Sequence, residues 1–334
     1  MASKKALGIA IGVAVIAAAA TGNFALMAGE QQQTKFDIKI GVGRGWFTNT
    51  PWIVADREGL YAKNGLNAKF VFFVNSNVML AALQNGEVDV SSATGGLETA
   101  WVKGARNFRL VAILSNKSSF MLIGKPGITK LNDLKGKLVA TSGAASPDDF
   151  QTKSILRANG INPAEVKFQG VAVPERLGAL KAGTVDAAVL TAPDNIRATE
   201  EGLPVIMNYQ PVVEDWAFGG IAVRADTLSK NPEMVKRVIK SLVQAVDIVR
   251  TDKVKTVKAW TTKNENYPIA YPEAVSNKMW DVFSSNFSYE PTVKGFANVI
   301  EFQKVNEKWT NPPKPEDIVD LKILRQVLSE MGKK

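Results

Sequence analysis

Residues 82–95, ALQNGEVDVSSATG, and residues 179–192, ALKAGTVDAAVLTA, are two copies of one phrase. Ala82, Leu83, Gly86, Val88, Asp89 and Thr94 recur as Ala179, Leu180, Gly183, Val185, Asp186 and Thr191, at a constant offset of 97 residues. Each copy reads as the end of an amphipathic helix, a Gly able to take a left-handed cap, an apolar strand and a short polar loop. Gly86 and Gly183 are therefore expected to stop helices, and Asp89 and Asp186 to be structural residues at strand starts. Two equivalent strand ends, each opening into a loop with a Thr, predict two similar lobes with Thr94 and Thr191 facing each other across one cleft. The plain alternative is reuse of helix–Gly–strand punctuation, which α/β proteins share widely.

Outward from the repeat, the same rhythm fills most of the chain. Apolar or alternating runs at 36–43, 68–74, 88–92, 108–115, 120–125, 138–142, 166–170, 185–190 and 205–208 read as strands, and 217–223 as the segment that crosses back. Helical patterns of 10–15 residues lie between many of them, which predicts an α/β fold with two mostly parallel sheets flanked by helices. Thr50 and Pro51 read as the cap and first position of a helix. After Asp226 the chain turns helical. Val235, Val238, Ile239, Leu242, Ala245, Val246 and Val249 recur at a helical period, with further helices over 272–284, 292–309 and 315–331. Trp260, Trp280 and Trp309 read as packing anchors of this region. The chain is expected to cross between lobes twice, giving a discontinuous first lobe (35–123 and 219–334) and an inserted second lobe (124–218).

Composition narrows the function. The 334 residues are long enough for about two cores, and the 46% apolar and 22% charged content is ordinary for a globular protein. The formal charge of +9 invites nucleic acid as a partner. The basic residues are scattered, however, and the densest group, Lys253, Lys255, Lys258 and Lys263, reads as a solvated helix face. Without Cys there is no disulfide, thiolate nucleophile or lipid-bearing Cys; without His the commonest general base and metal ligand is missing. These absences weigh against an enzyme, and no metal-ligand spacing or cofactor fingerprint is present. Lys4 and Lys5 precede an apolar run over 6–20 and small residues to 28, which is the grammar of a secretory signal peptide over 1–28. An uncleaved anchor is the alternative.

Ligands of open α/β sheets bind at the carboxyl ends of strands, near helix N-termini. Four loops meet that description: 43–49, 93–96, 142–147 and 191–194. In the first, GVGRGW lacks the third Gly of a dinucleotide fingerprint; Arg44 with the rings of Trp46 and Phe47 suits a small organic acid, unless the rings pack into the lobe and Arg44 is solvated. Thr94 and Gly95 offer a hydroxyl and backbone donors. Ser142, Gly143 and Ser146 offer the same from the second lobe as an anion nest, with plain turn chemistry as the alternative. Asp194, beyond Thr191, reads a donor on the ligand or caps its helix. Trp216, beside the second crossing, forms a cleft wall or a hinge buttress. The adjacent acidic pairs 148–149, 200–201 and 214–215 do not project together and signal no acid–base pair.

The stretches KIGVGRGWFTNTPWIVADREGLYAKNGL (39–66), ALQNGEVDVSSATG (82–95), DLKGKLVATSGAAS (133–146) and ALKAGTVDAAVLTAPD (179–194) together resemble the solute-binding proteins of ABC transporters of the nitrate/sulfonate/taurine type, relatives of thiamine-precursor-binding proteins. The resemblance covers about residues 36–250. It implies a two-lobed type II periplasmic-binding fold that closes on a small solute, a sulfonate or carboxylate when set beside Arg44. It further implies an exported, periplasmic monomer that delivers the solute to an ABC-transporter permease in the inner membrane. The absence of His separates the chain from the nitrate-binding branch and, with the absence of Cys, from the pyrimidine-synthase relatives.

Overall fold

The repeated phrase is also a repeated hydrogen-bond pattern. Asp89 stands before the strand Val90–Ser91 (β3), and its carboxylate accepts from Lys39 N (2.8 Å) while Asp89 N donates to Lys39 O (2.9 Å). Asp186, before Ala187–Leu190 (β8), makes the same pair with Leu138: Leu138 N donates to its carboxylate (2.9 Å) and Asp186 N to Leu138 O (2.8 Å). A carboxylate here satisfies an N–H that stands one residue before the β1–β3 or β6–β8 ladder begins, which is why Asp recurs at this position. Gly86 and Gly183 stand at φ 78° and 71°, the left-handed region where a side chain is strained, and each follows the end of a helix.

The computed structural model describes residues 35–333 except Trp46, Ala145, Glu214 and Pro291. The signal-like segment 1–28 and the site residue expected at Trp46 therefore lie outside the described residues. Among the described residues no helix is long and apolar enough to cross a membrane.

The other strands are β1 (Phe36–Gly43), β2 (Leu66–Phe73), β4 (Phe108–Ser115), β5 (Met121–Gly124), β6 (Leu138–Thr141), β7 (Lys167–Gly170), β9 (Val205–Asn208) and β10 (Gly219–Arg224). They form two five-stranded sheets of matching order, β2-β1-β3-β10-β4 and β7-β6-β8-β5-β9. In each, the fourth strand pairs antiparallel with both neighbours while β1–β2, β1–β3, β6–β7 and β6–β8 pair parallel. The antiparallel strands are the two by which the chain has just arrived from the other sheet. β5 belongs to the second sheet, so the first crossing lies before Met121, over 116–120, rather than at the 123/124 boundary expected from sequence.

The first sheet is backed by the helix Pro232–Thr251, on which all seven residues of the expected apolar face are buried. Burial of each large aliphatic side chain contributes about 1.5–3 kcal/mol, so this stripe anchors the C-terminal helices to the first half. The second sheet has its own smaller cluster, Ile123, Ala140, Leu177, Leu180, Ala188 and Leu190 among it, under the helices Arg176–Lys181 and Asp194–Glu200. Three expectations need correction. Thr50 is the first residue inside its helix, with Asn49 in the cap position, and its hydroxyl donates to Phe47 O. The pattern over 315–331 is two helices, Pro315–Ile318 and Lys322–Glu330. Trp260 is buried, but Trp280 and Trp309 are half-buried.

Candidate functional site: the cavity between the sheets

Carboxyl ends of strands from both sheets open on one cavity of about 310 Å³. The first half contributes Phe47, Thr48, Asn75, Ser76, Asn77, Ser92, Thr94 and Gly95; the second contributes Ser142, Gly143, Ala144, Ser146, Pro147, Asp148, Val173 and Thr191. Phe120 and Phe218, one on each crossing segment, complete the wall. Their rings meet edge to face at 4.6 Å between centroids. The two segments are hydrogen-bonded side by side, Trp216 N to Asn116 O (2.9 Å) and Phe218 N to Ser115 O (2.9 Å).

Seven of the residues expected from sequence meet here: Phe47, Thr94, Gly95, Ser142, Gly143, Ser146 and Thr191. Thr94 and Thr191 line the same cavity from opposite halves. The Thr94 hydroxyl donates to Ala217 O on the returning segment (3.0 Å), and the Thr191 hydroxyl pairs with that of Ser119 on the outgoing one (2.9 Å). Each Thr thus ties its strand end to a crossing. Phe47 does two things at once. It lines the cavity and packs on Phe283 and Phe287 (centroids 5.2 Å each) and Trp260 (6.0 Å).

Three expected residues stand elsewhere. Arg44 is exposed and outside the lining; it is at the rim of β1, where its N–H donates to Phe73 O. Asp194 pairs with Arg197 one helical turn on (3.0 Å), and its partial burial raises its pKa. The helix cap there is Pro193, with no side-chain cap bond, so Asp194 neither caps nor lines. Trp216 is buried against Phe302 (5.0 Å, 83°), which is the place of a hinge buttress rather than a cleft wall.

Two elements of the site were missed. Asn75 caps the helix Ser76–Asn85 by accepting from Val78 N (3.0 Å), so Asn75, Ser76 and Asn77 lie at the carboxyl end of β2. The same strand-end rule that found the other loops applies to this one. The second element is a buried ion pair behind the Ser142–Ser146 loop. Arg176 and Asp148 are both fully buried, 2.8 Å apart. Arg176 also donates to Val171 O (2.9 Å), Val189 O (2.7 Å) and the Ser142 hydroxyl. No periodicity marks Arg176 as interior; its helix position alone reads as solvated surface.

Among the described residues there is no group of three or more His, Cys, Asp or Glu placed to hold a metal ion. Asp148 is the one ionisable side chain among the described lining residues.

Comparison with known proteins follows this geometry. A family model described as NMT1/THI5 like matches residues 46–255, well over half of the chain. The chain is 24% identical over 213 residues to a Brucella abortus (strain 2308) protein that bears a provisional binding-protein description, across 63% of this chain and 66% of that one. It is 27% identical over 206 residues to the taurine-binding periplasmic protein of Escherichia coli (strain K12), across 58% and 62%. The match thus spans less than two thirds of each of these relatives. Among solved structures, the alkanesulfonate-binding protein SsuA of Xanthomonas axonopodis pv. citri, bound to MOPS, superposes with a TM-score of 0.70 at 18% identity, over 84% of this chain and 96% of that one. The desulfurization enzyme DSZB shares the architecture more distantly (TM-score 0.66, 11% identity, 89% and 100%). The two-sheet architecture is that of the periplasmic binding proteins, and the chain belongs to the NMT1/THI5-like family.

Proposed function

We propose that this protein is an exported binding protein that captures a small organic solute between its two α/β halves and delivers it to an ABC importer. The observation that carries the reading is the cavity itself: walled by both sheets, with two adjacent crossing segments at its edge. A solute touching both walls favours the closed arrangement by its differential contacts, and two short adjacent connections are a hinge able to absorb the motion. The family and the solute-binding descriptions of its relatives support the same reading. Export to the periplasm, a monomeric state and a permease partner in the inner membrane belong to this proposal, as does the absence of nucleic acid as a partner. The basis on which an acidic solute was expected, Arg44 beside the cleft, is not reproduced by the geometry.

A binding role is favoured over catalysis because the chain has no His or Cys and Asp148 is already fully engaged. A thermal-shift screen over sulfonates, carboxylates and nitrogen heterocycles tests the reading. A ligand at about 100 times its Kd adds about 2.7 kcal/mol to the folded state. Solution scattering should then show a smaller radius with the ligand, and the ligand should be recovered unchanged. A product, or binding with no change in dimensions, would overturn it.

A further inference from the structure

The loop that reads from sequence as an anion nest is already filled, by a carboxylate of the protein itself. Asp148 Oδ2 accepts from Ser142 N (2.8 Å), the Ser142 hydroxyl (3.2 Å) and Arg176 (2.8 Å), and its Oδ1 accepts from the Ser146 hydroxyl (2.7 Å). Two backbone donors of the loop are also committed. Gly143 N donates to the Thr141 hydroxyl (3.3 Å) and Ser146 N to Gly143 O (3.2 Å). A serine has one proton, and for Ser146 both acceptors within reach, Asp148 and Gly143 O (2.6 Å), lie on the protein side. What these hydroxyls turn toward the cavity is lone pairs.

On the facing wall two hydroxyl protons are likewise committed. The Thr94 proton goes to Ala217 O, and the Ser92 proton goes to Asn49 Oδ1 (3.0 Å). The Asn49 amide is oriented by its own donation to Gly43 O, so the atom facing Ser92 is the oxygen. No Lys or Arg stands among the described lining residues to neutralise an incoming acid. An acidic group brought to the Ser142 and Ser146 hydroxyls would meet their lone pairs and a buried carboxylate, with Arg176 already spent on Asp148. An N–H or O–H donor would find acceptors that are otherwise unmatched.

We propose that Asp148 is the specificity determinant of the site: by occupying the Ser142–Ser146 nest, it makes this wall select solutes that present hydrogen-bond donors, such as amides and amines, and reject acidic groups. Arg176 acts as a positioning residue that holds Asp148 in the nest. The proposal rests on the capture reading above and names the chemistry of that site.

Isosteric pairs test it, since each pair keeps shape and exchanges donor for charge: benzamide against benzoate, and benzenesulfonamide against benzenesulfonate. With the wild-type chain at millimolar probe, thermal shift and calorimetry should show each amide binding roughly tenfold or more tighter than its acid. In Asp148→Asn the nest loses its charge and Arg176 is released, so the preference should narrow or reverse toward the acids. A wild-type chain that binds an acid as tightly as its amide overturns the specificity proposal and leaves capture standing. An Asp148→Asn chain that folds and keeps the wild-type ratio also overturns it. If none of the four probes binds the wild type, the specificity proposal falls, and capture is decided by the broader screen above. Should Asp148→Asn fail to fold, the wild-type ratios decide alone.

Discussion

Replacing Glu98 by Gln should make the protein more stable, by an amount that grows as pH rises above about 4.5 and levels off above about 7. Glu98 is fully buried at the start of the helix Leu97–Val102, directly behind the Thr94–Gly95 wall. Its Oε1 accepts from Gly96 N (3.2 Å) and from Gln303 (2.9 Å), while Oε2 is buried without a partner. Burial dominates over these bonds and pushes its pKa up to about 7 from an ordinary 4.5. In the unfolded chain the group ionises at its ordinary value, so between the two values the folded state binds more protons. Stability is therefore highest below about 4.5, falls as pH rises through about 7, and levels off above it. A displacement of this size corresponds to about 3 kcal/mol at the alkaline plateau. A glutamine keeps the accepting oxygen and carries no charge. The expected result in urea denaturation is a variant within about 1 kcal/mol of wild type near pH 4.5 and more stable by about 3 kcal/mol near pH 8.5. A difference that stays flat across this range would refute a buried, protonated Glu98.

Other substitutions probe the packing that shapes the cavity. Arg176→Met strands the Asp148 carboxylate in the interior and should cost about 3–5 kcal/mol, read from the urea midpoint; a wild-type midpoint would refute the pair as structural. Gly220→Ala places a Cβ 2.3 Å from Ala112 O and 2.8 Å from the Thr94 methyl, and should cost about 1–3 kcal/mol or more. Gly178→Ala, in a helix with nothing within 4 Å, should instead stabilise by about 0.5–1 kcal/mol; equal effects at the two glycines would refute the close approach. Asp89→Ala and Asp186→Ala should each cost about 1–3 kcal/mol, and the double variant should be additive within about 0.5 kcal/mol. The Lys125 pair holds Asp186 below the usual carboxylate range, so its contribution is present at neutral pH and is lost as pH falls through that range. An Asp186→Ala cost that persists in strong acid would refute this.

The architecture was legible because it is written in periodicity. Nine strands lie where apolar runs place them, β1, β4 and β9 to the residue, and β10 begins within the run read as the returning crossing. Loop positions followed from the strand-end rule. Side-chain direction did not. Arg44 and Arg176 are both arginines near strand or helix ends, yet one is exposed and the other has all three guanidinium nitrogens bonded inside the protein. Long-range partners decide that difference: Val189 O and Asp148 are 13 and 28 positions away from Arg176 in the chain, and no local pattern reports them. The same holds for Asp148. Sequence places it in the first turn of a helix, where an acid complements the dipole; only the fold shows that its carboxylate also closes the nest in front of it.

The duplicated Asp clamp bears on how such a molecule can move. In each half two hydrogen bonds at a residue of the repeat tie neighbouring strands, β3 to β1 through Asp89 and Lys39 and β8 to β6 through Asp186 and Leu138. Shearing strands within a sheet would break these bonds together with the ladder beside them, whereas bending between the sheets leaves both clamps intact. Bending falls on 116–120 and 216–218, where the inter-segment bonds are few and Phe120 and Phe218 touch edge to face rather than interlock. Thr94 and Thr191 are bonded to those same segments. A change of angle between the halves must therefore displace the two hydroxyls that line the cavity. In the capture we propose, solute contact and hinge angle would be coupled through them, by hydrogen bonds from the strand ends to the crossings.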